Sequence, residues 1–130
     1  MNQKSEIIPL LRQEEGVEYT PYIDSLGYPT TGVGFKLGPQ NVPLNHYTFN
    51  IDDNPINAWL QSDVDAVIAT MQKDAVVSEA LTHCNQPRQD ILTSMAYQMG
   101  ESGLDGFHNM LAAINAENWD EAAAQMLDST

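Results

Sequence analysis

Three glycines fall within eight residues, Gly27, Gly32 and Gly34, set among tyrosine and threonine in GYPTTGVGF. A helix does not carry glycine at that density, because each one loses more backbone freedom on folding than any other residue. The β-branched and aromatic residues from Val17 to Phe35, between Pro21 and the glycines, favour strands instead. This segment is expected to form a short hairpin or a three-stranded meander. Just before it, Ser5 to Glu14 carries Ile7, Leu10 and Leu11 at helical spacing, with Ser5 as N-cap and Pro9 near the first turn. Gly16 stands where a helix commonly ends. A helix running directly into a tight, glycine-rich sheet is therefore the strongest constraint on the fold.

Lys36 to Asn54 is rich in Gly, Pro and Asn and is expected to be loop with a little strand. From there the pattern turns helical. Asn54-Pro55 reads as an N-cap followed by proline at the first helical position, and Ile56, Leu60, Val64, Val67 and Met71 share one face. Gln86-Pro87, after Asn85, opens another helix through Ile91, Leu92, Met95 and Met99, with Gly100 and Gly103 ending it. Gly106 to Ile114 forms a shorter apolar helix, and Asn118 caps WDEAAAQML, whose Asp120 and Glu121 suit a helix N-terminus. The expected class is α+β: a helix, a small β-rich lobe, then a helical lobe on which the first helix packs. A chain of 130 residues suits one domain, or two small lobes sharing a core.

Charge narrows the function. The formal net charge of −13, from 18 acids against five Lys and Arg, repels nucleic-acid phosphates, so no nucleic-acid partner is expected. No apolar run approaches the roughly 20 residues of a membrane span, and MNQKSEIIPLLRQEE lacks the long apolar stretch of a secretory signal. The single cysteine, Cys84, forms no internal disulfide and reads as a buried or incidental thiol. No cofactor and no metal are called for.

Two acids stand out. Glu15 precedes the helix-ending Gly16, and Asp24 follows nine positions later in the turn-prone IDSLGY. Helix C-termini carry partial negative charge, which favours the protonated form of a neighbouring acid, the form a general acid needs. The plain alternative is a solvated Glu and an Asp that caps its own turn. If the helix end and the hairpin face each other, however, two carboxylates flank a cleft, which is the requirement for glycoside hydrolysis. Thr30, six residues after Asp24, could then hold a water beside it, or could be there for strand propensity alone.

EEG, then YxD, then GYxTxGxG resembles the catalytic signature of the lysozymes of T-even bacteriophages and related endolysins. QSDVDAVI at 61–68 is similar to the start of that family's long interlobe helix, and SMAYQMGESGLDGFHNML at 94–111 followed by WDEAAAQML at 119–127 resembles its C-terminal lobe in order and spacing. Lys36 to Asn57 is the least alike. The resemblance implies a single lysozyme-like domain over 1–130, with a β-rich lobe at about 15–53 and a helical lobe from 1–14 and 54–130. It implies Glu15 as general acid, Asp24 as second carboxylate and Thr30 as water holder, cleaving the β-1,4 bond between N-acetylmuramic acid and N-acetylglucosamine with inversion. Tyr97 and Gln98 match cleft-facing positions, and Lys36, Ser94, Met110 and Gln125 stand at substrate-side positions where relatives carry other side chains. Phe35 stands where the family often has histidine. Phe107, Trp119 and Met126 are expected in the core.

By this resemblance the substrate is a peptidoglycan strand, and the enzyme waits in the host cytoplasm until released to the periplasm and wall. The rival expectation is an inactive or weakly active relative, serving as a wall-binding or phage tail or baseplate domain. The family continues past the WDEAA helix with further helices, whereas this sequence stops at Asp128-Ser129-Thr130. The expectation is a truncated end, completed by self-association or by a partner chain.

Overall fold

A computed structural model of the chain describes residues 4–127. The ending at Asp128 to Thr130, on which the expectation of missing helices rests, lies outside the described residues. The class is α+β, as expected: the described residues form seven α-helices and one antiparallel sheet of three strands in the order β1-β2-β3. The chain divides into two compact units, one covering residues 8–62 and the other the described residues up to Ile7 together with those from Asp63 onward. The boundary differs from the expected one, since α1 beyond its first residue belongs with the sheet.

In the first unit, α1 (Ile7–Glu15) stops at Gly16, whose N–H donates to Arg12 O at 3.0 Å. β1 (Glu18–Ile23), β2 (Pro29–Gly32) and β3 (Phe35–Lys36) form the expected meander. β1 pairs Glu18 with Gly32 and Tyr22 with Thr30, and the register shifts between them. Pro21 lies in that interval, inside β1. A proline has no N–H to give the ladder, so the strand slips there. β2 is buried along its whole length. Its neighbours Val33 and Phe35 join Leu11 of α1 and Ile56 and Leu60 of α2 (Asp53–Lys73) as the core of this unit. Each such side chain contributes about 1.5–3 kcal/mol when fully buried. Phe35 stacks on Trp59 with centroids 4.3 Å apart and planes 10° from parallel, which occupies the ring in local packing.

Helix α2 starts at Asp53, with Ile56 N–H donating to Asp52 O at 3.1 Å, so Asn54 is inside the first turn and not its cap. The apolar face read from Ile56 to Met71 lies within this helix, which ends at Lys73, just before Asp74. That carboxylate accepts from Val76 N and Val77 N and caps α3 (Ala75–Thr82).

The second unit is otherwise α4 (Gln86–Met99), α5 (Glu101–Asp105), α6 (His108–Asn115) and α7 (Trp119–Leu127). Asn85 caps α4 by accepting from Arg88 N, one residue before the Gln86-Pro87 pair read as the cap and first turn, whereas Asn118 Oδ1 accepts from Glu121 N at 3.3 Å as the sequence indicates. Gly100 ends α4, but Gly103 falls inside the short α5 that follows it. Met71, Val77, Leu92, Leu104, Met110, Leu111 and Ile114 form the core, with Phe107, Trp119 and Met126 packed against it as expected. Cys84 is buried there, its Sγ 3.4 Å from Ala80 O, and burial pushes the thiol up from its ordinary value.

A buried carboxylate closes this unit. Asp90 is 5% exposed and accepts from Ser5 Oγ at 2.7 Å, Glu6 N at 2.8 Å and Gln86 Nε2 at 3.0 Å. Ser5 in turn accepts from Ile7 N at 3.3 Å, so the start of α1 is capped jointly by its own serine and by a distant aspartate. Asp90→Ala leaves the Glu6 N–H without its acceptor, which is expected to cost about 1–3 kcal/mol. A urea-unfolding midpoint that stays at the wild-type value would contradict this account of the cap.

Candidate functional site

Glu15, Asp24, Thr30 and Lys36 are all carried by the unit that contains the sheet. Glu15 is the last residue of α1 and is exposed. Its backbone is held from behind by Arg12, one turn earlier, whose guanidinium donates from Nη2 to Asp53 Oδ1 at 2.8 Å and from Nη1 to Asn57 Oδ1 at 2.9 Å. Tyr19 donates its hydroxyl to the same Asp53 oxygen at 2.7 Å. The Tyr19 hydroxyl and then Arg12 hold the Asp53 carboxyl below the usual range, and Asp53 raises the Arg12 guanidinium. This network fixes the C-terminal turn of α1 against α2 and β1. It joins residues more than 40 positions apart, so no local motif announces it.

Asp24 opens the β1–β2 turn. Its Oδ1 accepts from Leu26 N and Tyr28 N, each at 2.9 Å, while its own N–H donates to Tyr28 O at 2.9 Å. The plain reading of Asp24 as a turn-capping aspartate is therefore correct in geometry. The same bonds shape its chemistry. The Tyr28 N–H first, then the Leu26 N–H, the Lys36 charge and the Thr30 hydroxyl, keep the Asp24 carboxyl below its ordinary value despite some desolvation. It stays ionised, as a base or charge stabiliser requires.

Thr30 pairs with Tyr22 on one side and Lys36 on the other, which puts it at the centre of the sheet beside the turn. It is 1% exposed, and its hydroxyl donates to Tyr28 O at 2.8 Å. Lys36 is exposed, with Nζ 4.1 Å from the centre of the Tyr28 ring.

One member of this group was missed in the sequence. Tyr22 has its phenol pushed up, first by desolvation and then by the charges of Glu18, Asp24 and Glu15. The helix-end glutamate and the turn aspartate thus act on a single phenol. The YxD spacing was the available signal, but Tyr22 read there as a strand residue.

The remaining sequence-predicted contacts belong to the other unit. Tyr97 is half-buried and Gln98 exposed on α4, where Gln98 Nε2 donates to Ser94 Oγ at 3.1 Å. Gln125 on α7 donates to Glu121 Oε1 at 2.9 Å. Met110 is a correction: it is 0% exposed within the core, so its side chain has no surface to offer a substrate. Ser94 is likewise buried, because both lie on the inward faces of their helices. Among the described residues no group of three or more His, Cys, Asp or Glu is placed to hold a metal ion, and no helix is long and apolar enough to cross a membrane.

Comparison with known proteins identifies the family. The family model described as phage lysozyme matches residues 12–129. The chain belongs to the phage lysozyme family. Among its relatives is the endolysin of Salmonella phage P22, 27% identical over 98% of this chain and 82% of that protein. A probable T4-type lysozyme of Dictyostelium discoideum is 23% identical over 97% of this chain and 84% of its own length. The pre-baseplate central spike protein Gp5 of Enterobacteria phage T4 is 30% identical over 98% of this chain, which spans only 25% of that larger protein.

Proposed function

We propose that this phage lysozyme family member cleaves the β-1,4 bond between N-acetylmuramic acid and N-acetylglucosamine in peptidoglycan by inverting acid–base hydrolysis. Glu15 protonates the leaving glycosidic oxygen. Asp24, held ionised by its turn, draws a proton from a water that donates its other hydrogen to Thr30. What supports this reading is that Glu15, at the end of α1, and Asp24 and Thr30, at the β1–β2 turn and on β2, lie in one compact unit of a chain that belongs to the phage lysozyme family. Glycoside hydrolysis uses a pair of carboxyl groups, and Asp24 is the one its turn keeps as the anion. Lys36 is a proposed sugar contact in this unit, and Tyr97, Gln98 and Gln125 are each proposed as sugar contacts on the family resemblance alone.

Inversion has a direct readout. The first product anomer formed from the β-linked substrate is expected to be α by proton NMR, since water enters opposite the leaving group. A β-anomer appearing first would replace the inverting scheme with a covalent one.

The match to Gp5 favours a second reading, in which the chain works as the lysozyme part of a tail or baseplate assembly and not as a free endolysin. Both readings predict clearing of permeabilised Gram-negative cells. They separate on whether antibody to this chain labels purified virions.

A further inference from the structure

Residues 37–52, within the stretch least like the phage lysozymes, are mostly irregular yet tied to the sheet at intervals. Leu37 N–H donates to Pro29 O and Asn41 N–H to Gly27 O, both at 2.8 Å, and the Gln40 side chain donates to the Leu26 carbonyl. Further on, Tyr47 N–H closes the turn at Leu44–His46 on Leu44 O at 3.0 Å, and Ile51 N–H donates to Tyr19 O of β1 at 2.8 Å. The Tyr47 hydroxyl rests against Gly38 so closely that any side-chain carbon at residue 38 would overlap it. The backbone here is preorganised, not slack.

Between this segment and β1 lies an open groove of about 420 Å³. Thr20 lines it from the strand, and Asn45, Tyr47, Thr48, Phe49 and Asn50 line it from the segment. No acidic or basic side chain lines it, in a chain with 18 acids. Phe49 is 40% exposed, an aromatic ring at the solvent boundary flanked by hydroxyl and amide groups.

We propose that this groove is an accessory glycan site that takes a neutral N-acetylhexosamine segment, separate from the acid–base group. A pyranose ring presents an apolar C–H face and a rim of hydroxyl and acetamido groups. The first suits an aromatic surface such as Phe49. The second suits Asn45 and Asn50, whose amides both donate and accept, and the Thr20 and Thr48 hydroxyls. A phosphate-bearing ligand would need cations in the wall, and a basic peptide would need carboxylates; the groove offers neither. Its fixed backbone reduces the ordering cost of binding. The choice of sugar rests on the muramidase reading; the existence of the groove does not.

The probe is tetra-N-acetylchitotetraose, titrated to millimolar concentration into ¹⁵N-labelled Glu15→Gln protein, which keeps the fold and does not consume the ligand. Saturable amide shifts are expected at Thr20, Asn45, Thr48, Phe49 and Asn50. Affinity should fall at least about tenfold, or 1.4 kcal/mol, when Phe49→Ala is added, with circular dichroism unchanged. A second variant, Asn45→Ala, alters an exposed side chain and should weaken binding in the same direction. Shifts confined to residues 22–31, no saturable shift, or groove shifts indifferent to both substitutions would overturn the proposal. Wall clearing by the wild-type chain is measured alongside. Clearing without groove binding removes the accessory site alone, and groove binding without clearing removes the hydrolase reading while the site stands.

Discussion

Glu15→Gln is expected to lower the rate of wall clearing by at least about 10²-fold, the scale of a lost general acid, while leaving the unfolding midpoint where it was. The second half of that expectation comes from the structure. Glu15 is exposed at the last position of α1, and the turn that carries it is held by Arg12, Asp53, Tyr19 and Asn57, none of which the substitution touches. Glutamine keeps the shape and polarity of the side chain and removes only the transferable proton. Turbidity loss of permeabilised Gram-negative cells gives the rate, and circular dichroism with urea unfolding gives the control. Clearing near the wild-type rate would remove Glu15 from the mechanism. A large loss of stability would show that its side chain supports the helix end.

Gly32→Ala is expected to destabilise the sheet-containing unit by about 2–5 kcal/mol, from two independent causes. Gly32 ends β2 with φ of +63°, a left-handed conformation that costs an L-residue roughly 1–2 kcal/mol. A methyl carbon there would also lie 2.5 Å from two atoms of the Phe35 ring. That ring cannot swing away freely, because Phe35 is buried and stacked on Trp59. Overpacking of a core in this way costs about 1–3 kcal/mol. The urea midpoint should fall with little change in slope. Gly34→Ala serves as the comparison: its φ is similar, +71°, but nothing stands within 4 Å of the added carbon. Equal losses in the two variants would mean that the Phe35 contact contributes nothing and the backbone term accounts for both.

The sequence by itself determined the local elements and the chemistry available to them. Glycine density, strand-forming residues and a helix-ending Gly16 specified a helix followed by a meander. Asn118, whose short amide reaches the first N–H groups of a helix, marked one helix start correctly, while the start of α4 is capped one residue before Gln86, by Asn85. These signals work because their causes lie within a few residues. The cap at Asp74 is equally local, an aspartate accepting from N–H groups two and three residues on, but the apolar face read as far as Met71 does not mark it. Asp53 and Asn54-Pro55 show the same limit, since proline is accepted anywhere in a first turn and so fixes a helix start only approximately.

Tertiary structure alone decided which side chains face solvent and which distant groups meet. Met110 reads as a surface methionine or a core one with equal ease, and only the packing of α6 against α3 and α7 puts it wholly inside. Asp90 acquired its role as a cap for α1 from residues more than 80 positions away. Arg12 and Asp53, 41 positions apart in sequence, meet at 2.8 Å, and the charges of Asp24 and Glu15 reach Tyr22 because the helix end and the turn lie in one unit. Electrostatic and hydrogen-bonding partners are chosen by distance in space, and sequence spacing reports that distance only inside a single turn of helix or strand.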